Sequence, residues 1–245
     1  MKKLPVNDLL QLTNHRPWPL PATPWQYYQE WNDAVFLHWQ VEPLLLKPYM
    51  PDGLELDQLE GTAWISLVAF TMQYVRPRGI PAFSPVSDFH EINIRTYVVR
   101  NGKQGVYFLS IEAARYISSF LAKTISGLPY VTSTINRSAQ TISAQNTRLG
   151  TKFDINYEVH ENLSVKTEAD RWLTERYALF QNHGPHIISY DIHHLEWPVN
   201  RLSLTKHRID YPALGHLLNA PPVKTHYSPG VQVIAWGKQR MKPTP

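Results

Sequence analysis

The sequence predicts an α+β protein, a mostly antiparallel β-barrel with a few flanking helices. Three stretches carry that prediction. Residues 62–75, TAWISLVAFTMQYV, form a long β-rich run that is apolar on both faces, as expected of a barrel wall covered from outside. Residues 89–99, FHEINIRTYVV, alternate strictly, meet Asn101-Gly102 and return as GVYFLSI at 105–111; an Asn-Gly pair between alternating runs is a strong hairpin signal. VTSTINR, TISAQN and KFDINYEV then succeed one another across short connections, the pattern of a meander.

Taken in order, the chain opens with an arm. Residues 14–31 hold four prolines and three tryptophans, so residues 1–31 read as an extended arm pinned by Trp18, Trp25 and Trp31, because proline removes backbone donors and fixes φ. Ala34–Val41 reads as a strand. Pro43 suits the first turn of a short apolar helix, and Pro51-Asp52-Gly53 marks a turn. Within 62–75, Trp64, Val68, Phe70, Met72 and Tyr74 share one parity, while Ala63, Ile65, Leu67 and Ala69 share the other. PRGIPAFSP follows as a loop.

A helix is predicted over Ser110–Ser126. Ile111, Ala114, Ile117, Leu121 and Ile125 form one stripe, with Ser110 as N-cap and Gly127 as stop. A second helical stretch is expected near Glu168–Leu173. Arg176–Asn182 and His186–His194 read as a hairpin across His183-Gly184-Pro185, and Val231–Trp236 as the last strand. No repeat or compositional seam divides the chain, so residues 1–245 are read as a single domain.

Composition excludes several classes. The net charge of +4 is modest, and its clusters, Arg76 with Arg78 and Lys206-His207-Arg208, are far from the dense basic stripe of a nucleic-acid binder. There is no cysteine, hence no disulfide, thiolate nucleophile or cysteine metal site. Met1-Lys2-Lys3 runs straight into Pro5, Asn7 and Asp8 without an apolar leader, and no window of about 18 apolar residues appears. The expectation is a cytoplasmic protein without a membrane or nucleic-acid partner. No HExxH, GxSxG, Walker A or GxGxxG is present. No metal or cofactor is therefore expected, and His38, inside an apolar strand, reads as a satisfied core histidine.

The ordered set HRPWPLP, PDGLELD, FHEINIRTYV, NGKQGVYF, GLPY, LTERY and HHLEWP resembles the uncharacterised YqjF-like bacterial family over nearly the whole chain. That family is distantly similar to acetoacetate decarboxylase, whose fold is a mostly antiparallel barrel with an enclosed active site. The resemblance places Glu91 at the decarboxylase's active-site glutamate. At the decarboxylase's Pro-Lys-Lys this chain has Pro129-Tyr130-Val131, and the decarboxylase's early arginine falls near Asn32. Schiff-base chemistry requires an amine whose pKa is lowered by a neighbouring cation or by desolvation. Tyr130 cannot form an imine, and Lys123 reads as a surface residue. The inherited mechanism is therefore absent.

The candidate site is the face Glu91-Asn93-Arg95-Tyr97, since alternate strand residues share a side. Alternation alone points to an ordinary solvated face; the match of Glu91 sets beside it, on equal terms, a pocket wall on which Arg95 would grip a carboxylate in a two-pronged contact. Tyr130 would add a hydroxyl in place of the lysine, and Trp64 and Phe70 an aromatic lining. The predicted function is binding of a small carboxylate or carbonyl compound. A lysine-independent lyase or isomerase using Glu91 and Tyr130 is one alternative. Another is an interaction module with a filled barrel, and a homo-oligomer is left open.

Overall fold

The computed structural model describes residues 3–114, 128, 130–184 and 186–241. The chain is mostly β-sheet. Its strands are β1 (Tyr27–Val41), β2 (Glu55–Leu56), β3 (Ala63–Pro77), β4 (Phe89–Arg100), β5 (Lys103–Ala113), β6 (Val131–Thr132), β7 (Thr134–Arg137), β8 (Thr141–Asn146), β9 (Thr151–Asn162), β10 (Ala178–His183), β11 (His186–His193), β12 (Asn200–Asp210), β13 (Lys224–Ala235) and β14 (Gln239–Arg240). Pairing runs β11-β10-β5-β4-β3-β1-β13, and β13 pairs again with β11 through Ile192↔Ala235 and His193↔Ile234, so the hydrogen bonding closes on itself as a ring. From β13 the sheet continues through β12, β9, β8 and β7 as a wing.

The wing accounts for the double-sided apolar pattern of β3. Ala63, Ile65, Leu67 and Ala69 point outward, with Ile92 and Ile94 of β4, against Ile142, Phe153, Ile155 and Tyr157 of the wing. Val68, Phe70 and Met72 point into the ring beside Phe36 and Phe89. Burial on both faces is what a strand with period-2 side chains needs when neither face meets water.

The β4–β5 hairpin turns where expected: Asn101 (φ 51°) and Gly102 (φ 74°) both take left-handed conformations, as a primed two-residue turn requires. The meander of β7, β8 and β9 is antiparallel throughout. The helix Glu168–Thr174 carries a capping box between Thr167 and Asp170.

Several expectations are corrected. β5 runs on to Ala113, so the first residues of the predicted Ser110–Ser126 helix are strand; Ile111, which served both the helical stripe and the alternating strand pattern, pairs with Asn93 and shares its inner face. The rest of that helix, Lys123 included, lies outside the described residues. The extended arm ends at Gln26, because Tyr27–Trp31 already belong to β1, and it contains an unpredicted helix, Val6–Gln11. A short helix, Ser84–Ser87, interrupts the loop after β3. β12 was missed, and β13 begins seven residues before Val231. Among the described residues, no helix is long and apolar enough to cross a membrane.

Closure of the ring depends on one glycine. β5 and β10 pair in parallel at Leu179↔Val106 and Phe180↔Tyr107. A Cβ on Gly105 would stand 2.6 Å from the Ala178 carbonyl oxygen and 2.7 Å from Phe180 Cε2. The backbone oxygen cannot move without parting the strands. Gly105→Ala is therefore expected to cost about 3 kcal/mol, at the upper end of overpacking effects, and denaturant unfolding would measure it. A loss under about 0.5 kcal/mol would show that the seam yields.

Candidate ligand-binding site

The ring encloses a cavity of about 660 Å³. Its exposed lining residues, Gln26, Pro77, Pro81, Phe83 and Lys238, mark the mouth. Gln26 and Pro77 lie together at the start of β1 and the end of β3, where Tyr27 pairs with Pro77. From there β4 runs inward. Phe89, Glu91, Asn93 and Arg95 succeed one another along the wall, about 6.6–7 Å per step, and all four are buried.

The polar face of β4 thus points inward. Glu91 is 2% exposed. Asn93 Nδ2 donates to its Oε1 at 3.0 Å, and the Tyr130 hydroxyl donates to its Oε2 at 2.8 Å. Burial pushes the carboxyl up from its ordinary value to about 7, against the opposing pull of those two hydrogen bonds and of Arg95. The same burial, with Glu91 adjacent, drives the Tyr130 phenol well above its usual range, so it donates rather than ionises.

Arg95 lies deeper and is 8% exposed. Among the described residues no carboxylate comes within ion-pair distance of it, and its Nε has no hydrogen-bond partner. Its guanidinium carbon lies 5.8 Å from the Phe36 ring centroid. Burial lowers its pKa, with Tyr97 and Glu91 opposing. A second arginine, Arg176, also lines the cavity, but Asp57 takes its Nη1 at 2.5 Å, leaving Nη2 without a partner. Two more buried lining atoms have none: Asn93 Oδ1 and Trp31 Nε1. Unpaired buried polar atoms are costly. Four of the nine such side-chain atoms among the described residues line this one cavity.

Of the residues singled out in the sequence, Glu91, Arg95, Tyr130 and Phe70 line this cavity, whereas Tyr97 and Trp64 do not. Strand parity does carry those two onto the inner face. The helix Glu168–Thr174, however, plugs the ring below Arg95: Leu173 packs with Trp64, Tyr97 and Val106, and the Tyr97 hydroxyl donates to the Leu173 carbonyl at 2.8 Å. Tyr97 and Trp64 therefore sit beneath the cavity floor. Arg176, Trp31, His194 and Trp197 were missed, since each joins the cavity from a strand or loop remote in sequence. Arg176 had a signal in the LTERY motif, and His194 and Trp197 in HHLEWP.

The plug is held by a buried polar chain. Asp170 meets Lys224, and its Oδ1 lies 2.9 Å from His226 Nε2. His226 Nδ1 lies 3.1 Å from His38 Nε2, His38 Nδ1 lies 2.6 Å from Ser66 Oγ, and Ser66 Oγ lies 2.5 Å from the Tyr97 hydroxyl. His38 is thus a core histidine with both nitrogens engaged. Burial, then the proximity of His226 and of Arg95, holds its pKa well below the usual imidazole value.

No lysine other than Lys238, at the exposed mouth, lines the cavity among the described residues. The position expected to hold the decarboxylase's reactive amine is occupied by the Tyr130 phenol.

Comparisons with known proteins agree with this architecture. The chain is 34% identical over 185 residues, 73% of its length and 76% of the relative's, to the uncharacterized protein YqjF of Bacillus subtilis (strain 168). Among solved structures, an acetoacetate decarboxylase-like enzyme from Sphingomonas wittichii RW1 matches with a TM-score of 0.63 and 14% identity, over 94% of this chain and 98% of that one. The enduracididine biosynthesis enzyme MppR complexed with pyruvate matches with a TM-score of 0.60 and 12% identity, over 92% and 93%. At such identities the likeness is one of fold, and the chain has the acetoacetate decarboxylase-like fold. The family model for DUF2071, described as an uncharacterized conserved protein, matches residues 28–232, and the chain belongs to that family.

Proposed function

We propose that the ring serves as a ligand-holding barrel for a small carboxylate bearing a carbonyl group, of the 2-oxo acid kind, and that it does so without Schiff-base chemistry. The observation that carries this reading is Arg95: a buried guanidinium in a cavity wall, lacking an acidic partner among the described residues. A buried cation is costly unless paired, and a ligand carboxylate would supply the pair through charge-assisted hydrogen bonds. Glu91, with a pKa near 7, and Tyr130 stand above it, where a carbonyl would find a protonated carboxyl or a phenol as donor. In its ionised form Glu91 is a general base for abstracting a proton next to that carbonyl, a lysine-independent step. That MppR, a protein of the same fold, is complexed with pyruvate adds support for this ligand class. The open cavity of about 660 Å³ argues against an interaction module with a filled interior.

Calorimetric titration tests the reading. Pyruvate or 2-oxobutanoate should bind the wild-type chain, whereas the methyl ester of either acid should not, because esterification removes the charge that Arg95 needs. Equal binding of acid and ester would remove Arg95 from the site. Borohydride treatment in the presence of the same acids should leave the protein mass unchanged. A reduced covalent adduct would overturn the exclusion of imine chemistry.

A further inference from the structure

Resting on the carboxylate reading above, the geometry points to a more specific ligand: a monocarboxylate with an aryl or branched-alkyl tail, held carboxylate-down on Arg95 with the tail against Trp31, Phe70 and Met72. Size supplies the first argument. A cavity of about 660 Å³ falls in the range that encloses a drug-sized molecule, far more room than a three-carbon acid fills.

The second argument is the distribution of polarity. The buried charged groups, Arg95, Arg176 and Glu91, occupy the floor and one wall together with Asn93 and Tyr130. Between them and the mouth the β1 and β3 wall is aromatic. Trp31 and Phe70 have ring centroids 5.7 Å apart, Trp31 and Trp197 6.0 Å, and Phe36 and Trp197 5.1 Å. Met72 and Phe89 face each other across β3 and β4 and continue this surface toward the mouth. A flat ring stacks on such a wall and a branched alkyl group packs against it. A second carboxylate there would be desolvated without a cation among the described residues, of which Lys238 lines the exposed mouth and Arg95 and Arg176 the floor.

The test is a series of 2-oxo acids with one head group and different tails, titrated against the wild-type chain by calorimetry: pyruvate, 2-oxobutanoate, 4-methyl-2-oxopentanoate, phenylpyruvate and 2-oxoglutarate. Affinity is expected to rise by about fourfold per buried methylene-sized increment. Phenylpyruvate should therefore bind at least tenfold tighter than pyruvate, with 2-oxoglutarate weakest for its size. Phe70→Leu should flatten that slope, lowering phenylpyruvate affinity by more than pyruvate affinity, and the wild-type series stands alone if this variant does not fold. If pyruvate matches phenylpyruvate, or 2-oxoglutarate surpasses it, the apolar-tail inference fails and the Arg95 reading survives. If no acid of the series binds, the Arg95 reading fails and this inference falls with it.

Discussion

Arg95→Met is expected to weaken binding of the 2-oxo acid series by roughly 100-fold or more while leaving the protein as stable as before, or more so. The loss follows from removing a buried cation that meets a ligand carboxylate, an interaction whose deletion costs on the order of 3 kcal/mol. The stability expectation is less usual. In the free protein the guanidinium has an unpartnered Nε and no acid within ion-pair distance among the described residues, so the fold carries a desolvated charge offset only by Tyr97 and the more distant Glu91. Methionine has similar reach, no charge and no donor to satisfy, and replacing buried ionic groups by apolar ones of like volume is often neutral or stabilising. Calorimetric titration beside a thermal melt checks both halves. Retained affinity would mean that the carboxylate lands elsewhere. A melting temperature lower by several degrees would mean that Arg95 is paired within the fold.

Glu91→Gln is expected to stabilise the protein at pH 8 by on the order of 3 kcal/mol relative to the wild type, with little difference at pH 4. The sign follows from linkage. Burial lifts the folded-state pKa of Glu91 from 4.5 to about 7, so between those values the folded chain holds a proton that the unfolded chain has released. Its contribution is therefore favourable below about pH 4.5 and is lost as pH rises through 7. Glutamine mimics the protonated acid and does not titrate. Its amide can also donate to Asn93 Oδ1, which has no partner in the wild type. Melting curves of both proteins at the two pH values give the answer, and an identical difference at each would show that Glu91 ionises like a surface carboxylate. If Glu91 acts on the ligand, the same substitution abolishes turnover, the familiar opposition between a strained site and a stable one.

Much of this site was legible along β4 and little of it elsewhere. Period-2 alternation set Glu91, Asn93 and Arg95 on one face, and the family resemblance favoured the interior. Alternation could not say where the cavity stops. That is set by Leu173, a residue 76 positions from the Tyr97 whose hydroxyl it receives, so Tyr97 and Trp64 were read into a lining from which a helix excludes them. β12 was missed because Thr205, Lys206, His207 and Arg208 are exposed in succession. A strand with both faces in water over part of its length shows little hydrophobic periodicity, and its clustered bases read only as a charge run. At Ser110–Ala113 the helical and extended patterns coincide over a single turn, and pairing with β4 decided between them. Trp31 and Arg176 reach the cavity through tertiary closure, which local pattern does not encode.

The plug and its polar chain give the chamber a direction. The far end is stopped by a helix anchored through Asp170, His226, His38 and Ser66, and every exposed lining residue among those described lies at the opposite end. A molecule bound on the arginine, as proposed above, would therefore enter and leave past the aromatic wall. Were a second molecule to occupy that wall, the first would have to arrive before it and depart after it, an order that binding kinetics with two ligands would reveal.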